Sequence, residues 1–185
     1  MGLNSGNVFV DMDLRLPDLR AFGLLCQLDS GSGITKAKSR LLDIAPHHCF
    51  MLKRLFQKGY IDAQGGYFAS KVLVNAEARL ISGFGQGMGL DDTMNVFLDG
   101  ELRRSQLRAF GILSKLDAGD GVRDLRQKYH GICGLYLPTR TLREKGYILR
   151  SKGRFFVTPG ARKGSGLALG VGESGFEIAE EVVYK

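Results

Sequence analysis

The sequence predicts a mainly α chain with small β-hairpins, an α+β fold that is written twice within 185 residues. Repetition is the first observation behind this. Residues 7–33 recur as residues 95–121, with sixteen of 27 positions identical at a constant offset of 88: Asn7, Val8, Phe9, Asp11, Leu14, Arg15, Leu19, Arg20, Ala21, Phe22, Gly23, Leu25, Leu28, Asp29, Gly31 and Gly33. The match resumes one residue shorter, where Leu55 and Lys58-Gly59-Tyr60-Ile61 answer to Leu142 and Lys145-Gly146-Tyr147-Ile148. Apolar residues at helical spacing are the second observation, and short apolar runs divided by glycine or charged turns are the third. A period of about 88 residues exceeds the 20 to 50 of solenoid repeats and indicates a duplicated folding unit. The expected partition is a first domain over residues 7–75, a Gly-rich linker over 76–94, a second domain over 95–163 and a Gly-rich, acidic tail over 164–185.

Val8-Phe9-Val10 and its counterpart Val96-Phe97-Leu98 read as short strands from their β-branched and aromatic content. A helix follows, with Pro17 suited to its first turn and Leu19, Phe22 and Cys26 on one face. Its copy places Leu107, Phe110, Leu113 and Leu116 in the same way. Gly23 and Gly111 interrupt these helices at a cost of about 1 kcal/mol each against alanine, which implies a second backbone packed closely on them. Asp29 to Gly33 and Asp117 to Gly121 are turn sequences. A short second helix is expected over Thr35 to Leu42 and over Arg123 to Tyr129. The third helix of the first repeat opens at Pro46 and runs to Lys58, with Leu52, Leu55 and Phe56 inward and His47, Phe50, Lys53, Arg54 and Gln57 on the opposite face. Pro138 sets the start of a shorter third helix in the second repeat. Each repeat then ends in a hairpin: Tyr60-Ile61-Asp62, a turn at Ala63 to Gly66 and Tyr67 to Val72 in the first, Tyr147-Ile148-Leu149, a turn at Arg150 to Arg154 and Phe155-Phe156-Val157 in the second.

A composition of 44% hydrophobic and 24% charged residues is that of a soluble globular protein, and no apolar run is long enough to span a bilayer. A cytoplasmic location is expected. Cys26, Cys49 and Cys133 are odd in number and unrelated in spacing, which argues against a disulfide framework. The net charge of +7 is unevenly spread: residues 8–75 carry +3, residues 96–163 carry +9, and residues 164–185 carry −3. A basic unit of that size suits a polyanionic partner.

Helix, short helix, helix ending in Leu-x-x-Lys-Gly-Tyr-Ile, then hairpin resembles the winged helix-turn-helix. The stretch from Leu142-Arg143-Glu144-Lys145-Gly146-Tyr147-Ile148 to Val157-Thr158-Pro159 is similar to the MarR-type version, and the resemblance covers about 60 residues of each repeat. It implies two tandem winged helix-turn-helix domains, each laying its third helix in a DNA major groove and its wing on the backbone or minor groove. The DNA-binding residues this implies are Lys36, Lys38 and Arg40 from one second helix and Arg123, Arg126 and Lys128 from the other. The third helices contribute His47, Phe50, Lys53, Arg54 and Gln57, and Arg140, Thr141, Arg143 and Lys145; the second wing adds Arg150, Lys152 and Arg154.

The sequence expectation is therefore a bacterial or mobile-element protein that binds double-stranded DNA as an internal pseudo-dimer, either a transcriptional regulator or an accessory factor in plasmid transfer, partition or replication. It is either a monomer with internal pseudo-two-fold symmetry or a weak homodimer, with no membrane partner. The alternative is a protein-interaction module in which the first repeat docks a protein and only the second touches nucleic acid. Neither a cofactor nor a metal is expected. Gly170 to Gly175 fits Gly-x-Gly-x-x-Gly without the strand-helix-strand context a dinucleotide needs, and the glycines of Ser82 to Gly89 lack the Lys-Ser or Lys-Thr of a phosphate loop. His47-His48-Cys49 has no second ligand cluster, and no nucleophile, base and orienting acid are grouped by motif, so no enzyme is expected.

Overall fold

The computed structural model describes residues 6–28, 39, 42–43, 52–64, 71–85, 90, 93–117, 138–151 and 154–168. Helix α1 spans Leu16–Gln27, α2 Lys53–Gln57, β1 Ile61–Gln64, β2 Lys71–Val74 and α3 Ala76–Ile81. The second repeat answers with α4 at Arg104–Asp117, α5 at Arg140–Glu144, β3 at Ile148–Ser151, β4 at Arg154–Val157 and α6 at Pro159–Gly164. The fold is thus mixed, mainly helical with two small antiparallel hairpins, as the sequence predicts. The second-helix segments and residues 44–51 lie outside the described residues, apart from Ser39 and the pair Leu42 and Asp43, which are helical.

Local physics explains where the elements depart from expectation. Val8–Val10 is a 3-10 turn, not a strand, because Asn7 accepts a hydrogen bond from the Phe9 amide (2.9 Å) and closes the chain on itself. Asn95 does the same to Phe97 (3.1 Å). The first hairpin reaches further than its sequence suggests: Ala63 pairs with Val72 and Gln64 with Lys71, so both lie in β1 and the return strand is Lys71–Val74. The second hairpin likewise draws Arg150, Ser151 and Arg154 into its strands, where Ser151 pairs with Arg154. Leu52 and Leu55 face inward, but Phe56, one residue on and so rotated about 100° from Leu55, is 47% exposed. Thr139 stands before α5, which begins two residues after Pro138.

The stretch expected as a Gly-rich linker from residue 76 begins with a helix instead. Asn75 accepts the Ala78 amide and starts α3, and Thr158 accepts the Ala161 amide and starts α6. Ser82 and Ser165, each just past its helix, are buried and take the amides of Val8 and Val96 at 3.0 and 3.1 Å. These caps hold the end of each repeat against its own beginning. The chain also stays packed through Leu167, which is 5% exposed, so the acidic tail starts later than residue 164.

The two repeats bury one core, not two. Phe9 and Phe97 stack with ring centres 6.3 Å apart, and Phe84 lies beside both. The helix glycines explain this closeness: a Cβ on Gly23 would lie well inside van der Waals contact of the Phe97 ring carbons, and one on Gly111 well inside that of the Phe9 ring carbons. What packs on each glycine is the aromatic ring of the other repeat, not the backbone the sequence led us to expect. Arg20 Nη2 donates to the carbonyls of Asp99 and Leu102 (both 3.0 Å), while Arg108 Nη2 donates to those of Asp11 and Leu14 (2.6 and 2.8 Å). Phe84 and Leu167 form an antiparallel bridge in which Gly85 N–H bonds Gly166 O (3.1 Å) and Ala168 N–H bonds Gly83 O (2.8 Å). The ring-on-glycine, guanidinium and bridge contacts each occur in both senses, as across an isologous interface.

Candidate nucleic-acid interface

The third helix of each repeat is fastened at its C-terminal end by the same device. The left-handed Gly59 (φ +75°) and Gly146 (φ +76°) stop α2 and α5, and the amides of Tyr60 and Tyr147 bond back to Leu55 and Leu142 at 2.9 Å. Each turn delivers a lysine and a tyrosine to one carboxylate, buried at Asp11 and partly buried at Asp99. Asp11 receives Lys58 Nζ (2.9 Å) and Tyr60 Oη (2.7 Å) and caps the Asp13 amide (2.9 Å). Asp99 receives Lys145 Nζ (3.1 Å) and Tyr147 Oη (2.8 Å) and caps the Glu101 amide (2.9 Å). Lys58 also pairs with Asp13, and Lys145 with Glu101.

The electrostatics agree with the geometry. Burial would raise the Asp11 and Asp99 carboxyls, but hydrogen bonds from tyrosine, lysine and the backbone outweigh it and hold both below the ordinary carboxylate range. Burial and the adjoining carboxylates push the Tyr60 and Tyr147 hydroxyls up. For Lys58 burial acts downward, yet its bonds to Asp13 and Asp11 win and raise it; Lys145 is raised by Glu101 and Asp99. The recurrence of Asp11 and Asp99 in the sequence reflects turn capping, and beyond that this tyrosine-lysine hub, for which the paired Lys-Gly-Tyr motifs were the available signal.

The residues expected to face DNA fall into distinct groups. Lys145 is held by Asp99 and Glu101, and Arg54 is held by Asp18 at 2.8 Å, joining α2 to α1. Both are occupied inside the chain. Lys53 and Gln57 are exposed on α2, Thr141 is half-buried on α5, and Arg140 and Arg143 are exposed on α5, Arg140 pairing with Glu144 one turn on (2.9 Å). Arg150 is exposed on β3 and lies over the Phe155 ring at 5.7 Å. Arg154 is in β4, next to the connection that contains Lys152, itself outside the described residues. Lys36, Lys38, Arg40, His47, Phe50, Arg123, Arg126 and Lys128 also lie outside them.

Sequence alignment of the repeats gives the surface its polarity. Arg143 stands where the first repeat has Phe56, Arg150 where it has Ala63, and Lys163 where it has Leu80. Phe56 is 47% exposed and Leu80 70%. Among the described residues no group of three or more His, Cys, Asp or Glu side chains could hold a metal ion, and no helix is long and apolar enough to cross a membrane. Comparison with family models, with curated proteins and with solved structures finds no match to this chain.

Proposed function

We propose that the chain is a double-stranded DNA-binding protein of winged helix-turn-helix type, acting as a transcriptional regulator or as an accessory factor of a plasmid or mobile element, with its two repeats arranged as an internal pseudo-dimer. The observation that carries this reading is the exposed cations of the second repeat, Arg140 and Arg143 on α5 and Arg150 on β3, within a unit of +9. The order helix, third helix, hairpin supports it, since a helix and an adjacent hairpin with cations can meet a groove and its flanking phosphates together. Lysine or arginine contacts to phosphate release counterions, so affinity for a duplex should fall steeply with salt.

A titration of duplex fragments over a range of salt tests this. Lys152→Ala with Arg154→Ala should lower the slope of log affinity against log salt by roughly 1 to 2, about 0.9 for each lost phosphate contact, at an unchanged melting temperature. Affinity that does not vary with salt excludes the reading. A second reading, a protein-docking role for the first repeat with only the second on nucleic acid, is favoured by the exposure of Phe56 and Leu80.

A further inference from the structure

We infer that the surface joining the two repeats is a self-recognition surface, able to pair a repeat with a second copy of itself as well as with its tandem neighbour. The ring, guanidinium and bridge contacts across the junction each use a donor site and an acceptor site, and both repeats carry both. The first repeat holds the ring (Phe9), the notch that takes a ring (Gly23), the guanidinium (Arg20) and the carbonyls that take a guanidinium (Asp11 and Leu14). The second holds Phe97, Gly111, Arg108 and the carbonyls of Asp99 and Leu102. The bridge is equally self-complementary, because the amide of residue 85 or 168 meets the carbonyl of residue 166 or 83.

Two copies of the first half can therefore reproduce the junction with Phe9 in the partner copy's Gly23 notch and Arg20 on the partner copy's Asp11 and Leu14 carbonyls. Two copies of the second half can do the same with Phe97, Gly111 and Arg108. Among the junction's side-chain contacts between described residues, three lack this equivalence: Gln27 with Asn95 (2.7 and 3.3 Å), Arg108 Nη1 with Met12 Sδ (3.5 Å) and Phe84 with Phe97, since Lys115, Gly100 and Leu167 stand at the positions of Gln27, Met12 and Phe84 in the second repeat. In the intact chain the linker holds the two repeats at an effective concentration of order millimolar, so the tandem pair closes first at micromolar protein. Cutting the linker removes that preference and exposes the intrinsic choice of partner.

The test starts from the full chain with a specific protease site inserted after Gln86. After cleavage, unfolding in urea and refolding at micromolar concentration, native mass spectrometry reads which halves pair. The expected products are the mixed pair together with both like pairs, the second-half pair the scarcest because it lacks all three one-sided contacts, each differing hydrogen bond changing affinity by a factor of up to about ten. A second preparation carries Gly111→Leu, which fills the second repeat's notch. It should deplete the mixed pair and the second-half pair while the first-half pair, whose notches are both Gly23, persists and gains share. Recovery of the mixed pair alone, of single halves, or of no pair overturns the inference, as does loss of the first-half pair in the Gly111→Leu preparation.

Discussion

The faces that the two repeats turn towards each other match at their ring, notch and guanidinium positions, whereas the faces they turn outward have diverged. Phe9 and Phe97, Gly23 and Gly111, and Arg20 and Arg108 occupy the junction, and each is locked by its counterpart's contact. A change on one side leaves a ring without its notch or a buried guanidinium without its carbonyls. No such constraint acts at positions 56 and 143, where phenylalanine faces arginine in the alignment and the side chain meets solvent in both repeats. The difference teaches that the junction is what duplication had to preserve, and that function should be sought where the repeats disagree.

Breaking the junction should produce the largest effects and should produce them equally in both repeats. Gly23→Ala drives a methyl against the face of the Phe97 ring and Gly111→Ala drives one against that of Phe9, so each should destabilise the chain by about 3 kcal/mol in urea unfolding. A cost for one and none for the other would mean that the two notches are not equivalent. The hubs come next. Asp11→Asn and Asp99→Asn each remove a charge that accepts lysine and tyrosine, with an expected loss of about 2 kcal/mol.

The hubs also fix the sign of the pH dependence. Both carboxyls are depressed in the folded chain, so the stability they contribute is present above their unfolded value of about 3.9 and is lost as pH falls through their lower folded values. Lys58, Lys145, Tyr60 and Tyr147 are raised, so their contribution is present below about pH 10 and is lost as pH rises through their folded values. Melting temperatures should therefore fall at both extremes, and Asp11→Asn should flatten the acid limb. A smaller effect is expected where the repeats share a backbone but not a residue: Gly6 (φ +72°) corresponds to Met94 (φ +55°), both left-handed. Gly6→Ala should cost about 1 kcal/mol from conformation, with further crowding against Ile81 Cδ1, and a neutral result in urea would show that this turn relaxes.

How much of this was readable from the sequence depends on the range of the physics involved. The first helix of each repeat, the stops at Gly59 and Gly146 and the presence of two hairpins follow from local periodicity and turn chemistry, and all are present, whereas Phe56, expected inward, is exposed. Val8–Val10 misled because an Asn cap outweighed β propensity, and the helix at Ala76–Ile81 was obscured by the glycines that follow it. The shared core depends on contacts between residues some 70 to 100 positions apart, as in Arg108 with Asp11, and only the unexplained mid-helix glycines hinted at it. Among candidate contacts, charge alone could not separate Arg143, which is exposed, from Arg54 and Lys145, which hold the fold together.

The outward divergence is tested most directly by exchanging its central pair. Phe56→Arg and Arg143→Phe sit on exposed helix positions and should each change stability by less than about 0.5 kcal/mol. In a duplex titration across salt concentrations, Arg143→Phe should weaken binding and lower the salt slope by about 0.9, the loss of one phosphate contact. Phe56→Arg should not restore what the second repeat loses when both substitutions are combined. If instead Arg143→Phe leaves affinity and slope unchanged while Phe56→Arg abolishes binding in a normally folded chain, the first repeat carries the nucleic-acid contact and the assignment is contradicted.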